Sequence, residues 1–104
     1  DDAGIDKLLL NVPDPEILHD YYDHTIGPLE EYDRVNGGDL TATLRRYLQF
    51  NGSIKETSER MFVHRNTVGY KLKRIESILQ VNLSDFAVRE MLSVGLHVKE
   101  LLDC

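Results

Sequence analysis

The sequence predicts an all-α fold, a small bundle of five or six helices, and three observations support this prediction. Apolar residues recur at three- and four-residue intervals along most of the 104-residue chain, as they do on one face of an amphipathic helix. Residues that favour turns and helix ends, such as Pro, Gly, Asn and Asp, separate these segments. No run of alternating β-branched residues predicts a sheet.

Residues 1–15 are predicted to be a linker. They open on the polar stretch Asp1-Asp2-Ala3-Gly4 and close on Pro13 and Pro15, of which Pro15 suits the first turn of a following helix. Because the chain does not begin with Met, we expect the linker to come from an upstream region of a longer protein. Residues 16–104 are then long enough to form one domain.

This domain is predicted to open with a helix from residue 15 or 16 to about residue 25. The apolar face of that helix consists of Ile17, Leu18, Tyr21 and Tyr22. Gly27 and Pro28 interrupt it, and a short helical segment then covers residues 29–34. The Asn-Gly-Gly sequence at residues 36–38 ends this segment, since glycine accepts backbone angles that other residues resist.

Two further helices are predicted over residues 40–50 and 53–61. Asp39 precedes the first and belongs to the preferred N-cap residues, and an Asn-Gly pair follows it as a left-handed C-cap. Ser53 and Glu56 stand three residues apart and form a capping box at the start of the second.

The last two helices are predicted over residues 64–79 and from Asp85 to about residue 102. The final helix carries more apolar side chains than one stripe can bury, and Gly95 within it allows another backbone to approach closely. Two interpretations remain for it: a central core helix, or a surface for dimerisation or for contact with the upstream region.

The helices over residues 53–61 and 64–79 have the properties of a helix-turn-helix. Only the short turn at Phe62 and Val63 separates them, and Ser58 supplies a small side chain where the second helix crosses the first. Apolar side chains at four-, three- and four-residue intervals form one inward stripe on the second helix: Val68, Leu72, Ile75 and Leu79. Three more are predicted to lock the angle between the helices: Ile54, Met61 and Val63.

Positive charge is concentrated in the second of these helices, although the formal net charge of the chain is −6. Residues 1–39 hold eleven Asp or Glu and two Lys or Arg, whereas residues 40–104 hold seven and ten. Five basic residues and no acidic one lie between Glu59 and Glu76. This segment is either an ordinary solvated helix face or a surface that meets a polyanion.

If the apolar stripe is buried, the opposite face of the second helix is available to double-stranded DNA. Recognition helices place their first residues against base edges in the major groove, where Arg65 can bond guanine and Asn66 adenine. Both can instead be capping and surface residues. Thr67 and Tyr70 can bond a phosphate or a base, although Tyr70 can also fold over the helix pair as core. The remaining predicted contacts are to phosphates: His64, Lys71, Lys73 and Arg74.

The segments TLRRYL, SIKET and VHRNTV, at their mutual spacing, carry a resemblance to a known family. Residues 40–94 resemble the C-terminal helix-turn-helix domain of the purine-catabolism-regulator and carbohydrate-diacid-regulator (PucR/CdaR-like) family of bacterial transcription factors, and residues 27–33 (GPLEEYD) resemble its lead-in. The resemblance implies a DNA-binding module at the end of a larger regulator, whose upstream region binds the effector. It also implies a recognition helix over residues 64–79, with Arg65, Asn66, Thr67 and Tyr70 at the reading positions.

Two positions depart from the pattern of this family. Gly69 stands where the family usually has a basic residue, and a glycine inside a helix costs about 1 kcal/mol relative to alanine. Gln80 stands where the family usually has a glycine that ends the helix. We expect the first departure to affect DNA affinity and the second only the end of the helix.

Other classes of function find little support in the sequence. His19 with Asp23, and Asp20 with His24, have the i,i+4 spacing of metal ligands or of an acid–base pair, but no third ligand is identifiable. No nucleophile–base arrangement and no phosphate-binding glycine loop is present, so we expect no enzymatic activity, no metal and no cofactor. The single Cys104 excludes an internal disulfide, and no apolar run is long enough to cross a membrane, which favours a cytoplasmic protein.

The sequence therefore predicts sequence-specific DNA binding by residues 16–104, with a helix-turn-helix core at residues 53–79, in a non-enzymatic bacterial regulator. We expect a homodimer, formed through the last helix or through the upstream region, because helix-turn-helix proteins commonly bind paired half-sites. The alternative is a helical protein-interaction or dimerisation module, docking through its acidic N-terminal half or its last helix, whose DNA-binding face is weakened by Gly69.

Overall fold

The computed structural model describes residues 2–103, and this part of the chain folds into helices without a strand. The helices are α1 (Asp2–Leu10), α2 (Pro15–Thr25), α3 (Gly27–Asn36), α4 (Leu40–Gln49), α5 (Ile54–Met61), α6 (Arg65–Leu79) and α7 (Phe86–Leu102). The prediction of an all-α fold with a helix-turn-helix is confirmed. The predicted polar opening includes Asp1, and the expectation of no internal disulfide concerns Cys104. Both residues lie outside the described part of the chain.

The described residues form seven helices rather than five or six, because α1 occupies most of the predicted linker at residues 1–15. Ile5 and Leu9 stand four residues apart on one face of α1, and α1 packs against α7. Leu9 is buried, with 8% of its surface exposed. Burial of an apolar face against another helix stabilises a short helix that would not form in isolation, and this tertiary contact is what the sequence pattern missed.

Side-chain caps begin two of the later helices where the sequence predicts them. The Ser53 hydroxyl accepts a hydrogen bond from the Glu56 N–H at 3.1 Å at the start of α5. The Asp85 carboxylate accepts one from the Ala87 N–H at 2.9 Å at the start of α7. Each bond satisfies a backbone donor that has no acceptor inside its helix, and so fixes where the helix begins.

The start of α4 departs from this scheme. Asp39 occupies the N-cap position, but its side chain makes no capping hydrogen bond. Instead, the carboxylate of Asp33, in the last turn of α3, accepts hydrogen bonds from the N–H groups of Leu40 at 2.9 Å and Thr41 at 2.8 Å. The left-handed Gly37 between the two helices, at φ 64°, turns the chain so that this carboxylate reaches the next helix.

Substitution of Asp33 by alanine is expected to lower the free energy of unfolding by about 1–2 kcal/mol, because two N–H groups at the start of α4 lose a charged acceptor. Asp39→Ala is expected to cost less than about 1 kcal/mol, since it removes an exposed ion pair with Lys71. Urea denaturation of both variants measures the difference. Equal losses would contradict the assignment of the cap to Asp33.

The core is assembled from α2 through α7 around fully buried aliphatic side chains. These include Ile26, Leu29, Leu44, Val68, Ile75 and Leu92. At the crossing of α2 and α7, a Cβ built on Gly95 would lie 2.9 Å from Ile26 Cγ1 and 3.0 Å from Thr25 Cβ. A close approach at Gly95 is therefore present, but the atoms that make it belong to the side chains of Thr25 and Ile26 and not to another backbone.

The last helix, α7, lies in the core, in agreement with its interpretation as a central core helix. Leu92, Leu96 and Val98 are buried, and α7 packs against α1, α2 and α4. Of its large apolar side chains, Phe86 at the N-terminal end is mostly exposed. Neither α7 nor another helix of residues 2–103 combines the length and the apolar character needed to cross a membrane.

The helix α2 meets α7 through its C-terminal half. The Tyr21 hydroxyl donates a hydrogen bond to the Met91 carbonyl at 3.1 Å, and Tyr22 packs against the core. Burial, together with a hydrogen bond to Glu30, raises the pKa of Tyr22 above its ordinary value. Ile17, predicted on the apolar face, is 54% exposed, because it lies in the first turn of α2, away from these contacts.

Candidate nucleic-acid interface

The helices α5 and α6 form the predicted helix-turn-helix. Phe62 ends α5 in the left-handed region, at φ 56°, and the Val63 N–H donates to the Ser58 carbonyl at 3.1 Å to close the turn. Ser58 is 5% exposed and Thr57 fully buried, so small side chains lie where α6 crosses α5. The small residue predicted at this crossing is confirmed.

The inward stripe of α6 is buried as predicted. Val68 and Ile75 are fully buried, Leu72 is 6% exposed, and Leu79 is partly buried against the same core. A helix repeats every 3.6 residues, so burial of this stripe turns the opposite positions of α6 to solvent. Packing of the core therefore decides which side chains the domain presents.

Six of the predicted site residues lie on the exposed side of α6 or at its start: His64, Arg65, Asn66, Thr67, Tyr70 and Lys73. Tyr70 is 76% exposed, which excludes the interpretation that it folds into the core. A shallow groove runs along this surface and is lined by Ile54, Arg65, Asn66, Gly69, Tyr70 and Lys73. We call this groove the reading groove.

Ile54 is a correction to the sequence analysis. It is 40% exposed and lines the reading groove instead of locking the angle between α5 and α6. Its place at the first position of α5 puts it at the edge of the helix pair, where it shares the groove with Gly69 and Tyr70 of α6. Met61 and Val63, the other two predicted locking residues, are partly buried.

His64 is the N-cap of α6, as predicted. Its Nδ1 accepts a hydrogen bond from the Asn66 N–H at 3.0 Å. An imidazole nitrogen that accepts carries no proton, so the neutral ring has its proton on Nε2. The side chain is exposed, which leaves Nε2–H as a donor toward solvent at the start of α6.

The other two predicted site residues, Lys71 and Arg74, already have partners within the domain. The Lys71 ammonium lies 2.9 Å from the Asp39 carboxylate, and its side chain is 26% exposed. The Arg74 guanidinium stacks over the ring of Tyr32, 5.9 Å from its centre. These contacts join α6 to α3 and α4 and place both cations beside, not within, the reading groove.

Sequence reasoning missed Tyr32 and Asp39 as neighbours of this surface, and it missed Lys55 as a further exposed cation of the helix-turn-helix. Lys55 is exposed in the first turn of α5, next to Ile54. The basic charge and the early position in α5 are visible in the sequence and could have indicated it. Asp39 and Tyr32 contact α6 from more than 30 residues away, and no local pattern announces such a contact.

On α2, the contact that the structure gives between His24 and Asp20 is to the backbone of Asp20. The ring nitrogen Nδ1 of His24 lies 2.7 Å from the Asp20 backbone carbonyl. Among the side chains that the structure describes, which leave out those of residues 1–3, 6 and 104, no group of three or more His, Cys, Asp or Glu lies in an arrangement that could hold a metal ion.

Comparisons with known proteins place this geometry in a family. Residues 40–98 match the PucR C-terminal helix-turn-helix domain. The DNA-binding transcriptional activator AdeR of Bacillus subtilis (strain 168) is 29% identical over 79 residues, which are 76% of this chain and 18% of AdeR. The proline-responsive transcriptional activator PutR of the same organism is 30% identical over 93 residues, covering 89% of this chain and 23% of PutR.

The purine catabolism regulatory protein of Bacillus subtilis (strain 168) is 34% identical over 94 residues, 90% of this chain and 18% of that protein. The chain thus spans less than a quarter of the length of each of these relatives. No solved structure matches it. Because the match runs from the start of α4 into α7 and includes the whole helix-turn-helix, the chain belongs to the PucR C-terminal helix-turn-helix family, the DNA-binding domains of transcriptional regulators.

Proposed function

We propose that this domain binds double-stranded DNA sequence-specifically, with α6 in the major groove. The observation that carries the proposal is the exposure of Arg65, Asn66 and Lys73 along one groove, while Val68 and Ile75 on the opposite side are buried. A bidentate Arg or Asn side chain distinguishes guanine or adenine from other bases at their major-groove edges. Arg65 and Asn66 are in the first turn of α6, the part of a recognition helix that meets bases.

The phosphate contacts divide into two groups. Near the start of α6, hydrogen bonds to the DNA backbone come from His64, through Nε2–H, and from the hydroxyls of Thr67 and Tyr70. The side chains of Lys73 and Lys55 add positive charge. Lys71 and Arg74 stand at the side of the reading groove and reach phosphates by exchanging the contacts that they make within the domain.

Selection from random duplex pools at low salt, followed by titration of the enriched duplex at several salt concentrations, tests the proposal. A shared motif is expected to emerge. Affinity is expected to fall with salt at a log–log slope of about −0.9 for each phosphate neutralised. Retention of duplexes without an enriched motif would contradict sequence-specific binding.

Asp39 is expected to restrain DNA binding, because its carboxylate neutralises Lys71 and adds negative charge beside the reading groove. Asp39→Asn is expected to strengthen binding to all duplexes about equally and to steepen the salt slope by about 0.9, as one more phosphate is neutralised. Asp20→Asn, which removes the same charge from the exposed side of α2, is the control and should change little. An effect of Asp20→Asn as large as that of Asp39→Asn would show that only the net charge matters.

We further propose that this domain is the C-terminal, non-enzymatic part of a cytoplasmic bacterial regulator, and that residues 1–15 connect it to an upstream region. The support is the small share of each regulator that the chain matches. In this proposal the upstream region binds the effector and brings two copies together, since the apolar face of α7 is used within the domain.

A protein-interaction or dimerisation module is the second candidate, and one observation favours it. Leu8 and Leu10 on α1 are 70% and 71% exposed, and a partner that covered them would remove apolar surface from water. Sedimentation of the chain at increasing concentration, with and without DNA, separates the candidates. Stable self-association without retention of any duplex would support the second candidate over the first.

A further inference from the structure

We infer that the reading groove binds the 5-methyl group of a thymine, with Ile54 supplying the apolar contact and Gly69 the space. The inference rests on the proposed function and adds one base to the contacts of Arg65 and Asn66. Thymine is the one base of unmodified DNA that places a methyl group in the major groove, where apolar side chains read it.

The first support is that nothing inside the domain calls for a glycine at position 69. A Cβ built on Gly69 would meet no atom within 4 Å, and its backbone has no left-handed angle, so a larger residue would fit. A glycine inside a helix is less favourable than an alanine, because glycine loses more conformational freedom on folding. The open space at Gly69 therefore faces outward, toward what α6 binds.

The second support is the apolar side chain beside that space. Ile54 is 40% exposed and lines the reading groove together with Gly69 and Tyr70, among the polar side chains Arg65, Asn66 and Lys73. An isoleucine left in water in a polar groove gains free energy when an apolar group of the ligand covers it. The edges of DNA bases offer one such group of suitable size, the thymine methyl.

The geometry also places this thymine along the site. Gly69 lies four residues after Arg65, which corresponds to about 6 Å along α6. Since stacked bases of one strand are about 3.4 Å apart, the thymine is expected within about two base pairs of the pair that Arg65 reads. The selection experiment that tests the proposed function supplies the duplex in which this position is sought.

Single replacement of each thymine in the enriched duplex by uracil tests the inference, because uracil lacks the methyl group and keeps the hydrogen-bonding groups. Among the single replacements, one position in each half-site is expected to weaken binding about 3- to 5-fold, because one buried methyl group is lost there. The measurement is repeated with Ile54→Ala, which removes the apolar contact, and with Gly69→Ala, which fills the space. Lys55→Ala is the control: this neighbour does not line the reading groove, so it should weaken both duplexes and keep their ratio.

A fall of the thymine-to-uracil ratio in either groove variant, with the ratio kept in Lys55→Ala, supports the inference. An enriched motif in which no thymine is sensitive to uracil overturns it and leaves the proposed function standing. A ratio that both groove variants keep, or that Lys55→Ala also loses, overturns it as well. If no motif is enriched at all, the proposed function and this inference fail together.

Discussion

Substitution of Gly95 by alanine is expected to lower the free energy of unfolding by about 2 kcal/mol, the typical cost of forcing extra volume into a packed core. The added Cβ would lie 2.9 Å from Ile26 Cγ1 and 3.0 Å from Thr25 Cβ, and it would also collide with Thr25 Oγ1. Real Cβ atoms do not tolerate such distances, so α2 and α7 must move apart.

Neither Thr25 nor Ile26 can move away from the added Cβ without a cost in free energy. The Thr25 hydroxyl donates to the Tyr21 carbonyl at 2.7 Å, and Thr25 is β-branched, which restricts its rotamers. Ile26 is fully buried in the core. A gain of helix propensity of about 1 kcal/mol, from replacing a helical glycine, offsets part of the loss but does not reverse it.

Gly69→Ala is the matched control, since it makes the same substitution inside another helix. Its Cβ would meet nothing within 4 Å, so only the propensity term applies, and stability is expected to rise by about 0.5–1 kcal/mol. Urea denaturation followed by circular dichroism measures both variants. Changes of the same sign would contradict the close crossing of α2 and α7.

The second large effect concerns base selectivity. Arg65→Ala is expected to remove about 1–3 kcal/mol of discrimination at one base pair, because the proposed bidentate contact to guanine could no longer form. Arg65 is exposed and lines the reading groove, so its removal is not expected to change the fold. Competition between the enriched duplex and scrambled duplexes measures the loss.

Lys73→Ala is the control for charge, because Lys73 lines the same groove two turns later along α6. It is expected to weaken all duplexes about equally and to reduce the magnitude of the salt slope by about 0.9, as one phosphate contact is lost. If Arg65→Ala kept the selectivity intact, or if both variants behaved alike, Arg65 would not be a reading residue.

Prediction from sequence succeeded where short-range spacing carries the information. The stripe Val68, Leu72 and Ile75 follows from helical periodicity alone, and the exposed side of α6 follows from that stripe. Caps at Ser53 and His64 were equally readable, because the capping side chain and its N–H lie two or three residues apart.

Prediction failed where the deciding contact is distant along the chain. The side chain that caps α4 is Asp33, which accepts a hydrogen bond from an N–H seven residues further along the chain. Asp39, the candidate nearest in the sequence, forms an ion pair with Lys71 instead. In the same way α1 is helical because it packs on α7, some 80 residues away. The i,i+4 spacing of Ile5 and Leu9 is visible in the sequence, but nothing within residues 1–15 indicates that α7 is their partner.

The sequence by itself determined the helical class, the helix-turn-helix and the basic face of α6, since these depend on the order of residues within one or two turns of helix. Tertiary structure alone decided that Ile54 borders the reading groove and that Lys71 and Arg74 are held by Asp39 and Tyr32. The reason is physical: a hydrophobic pattern fixes which face of a helix is buried, but only the packing of several helices fixes which side chains meet.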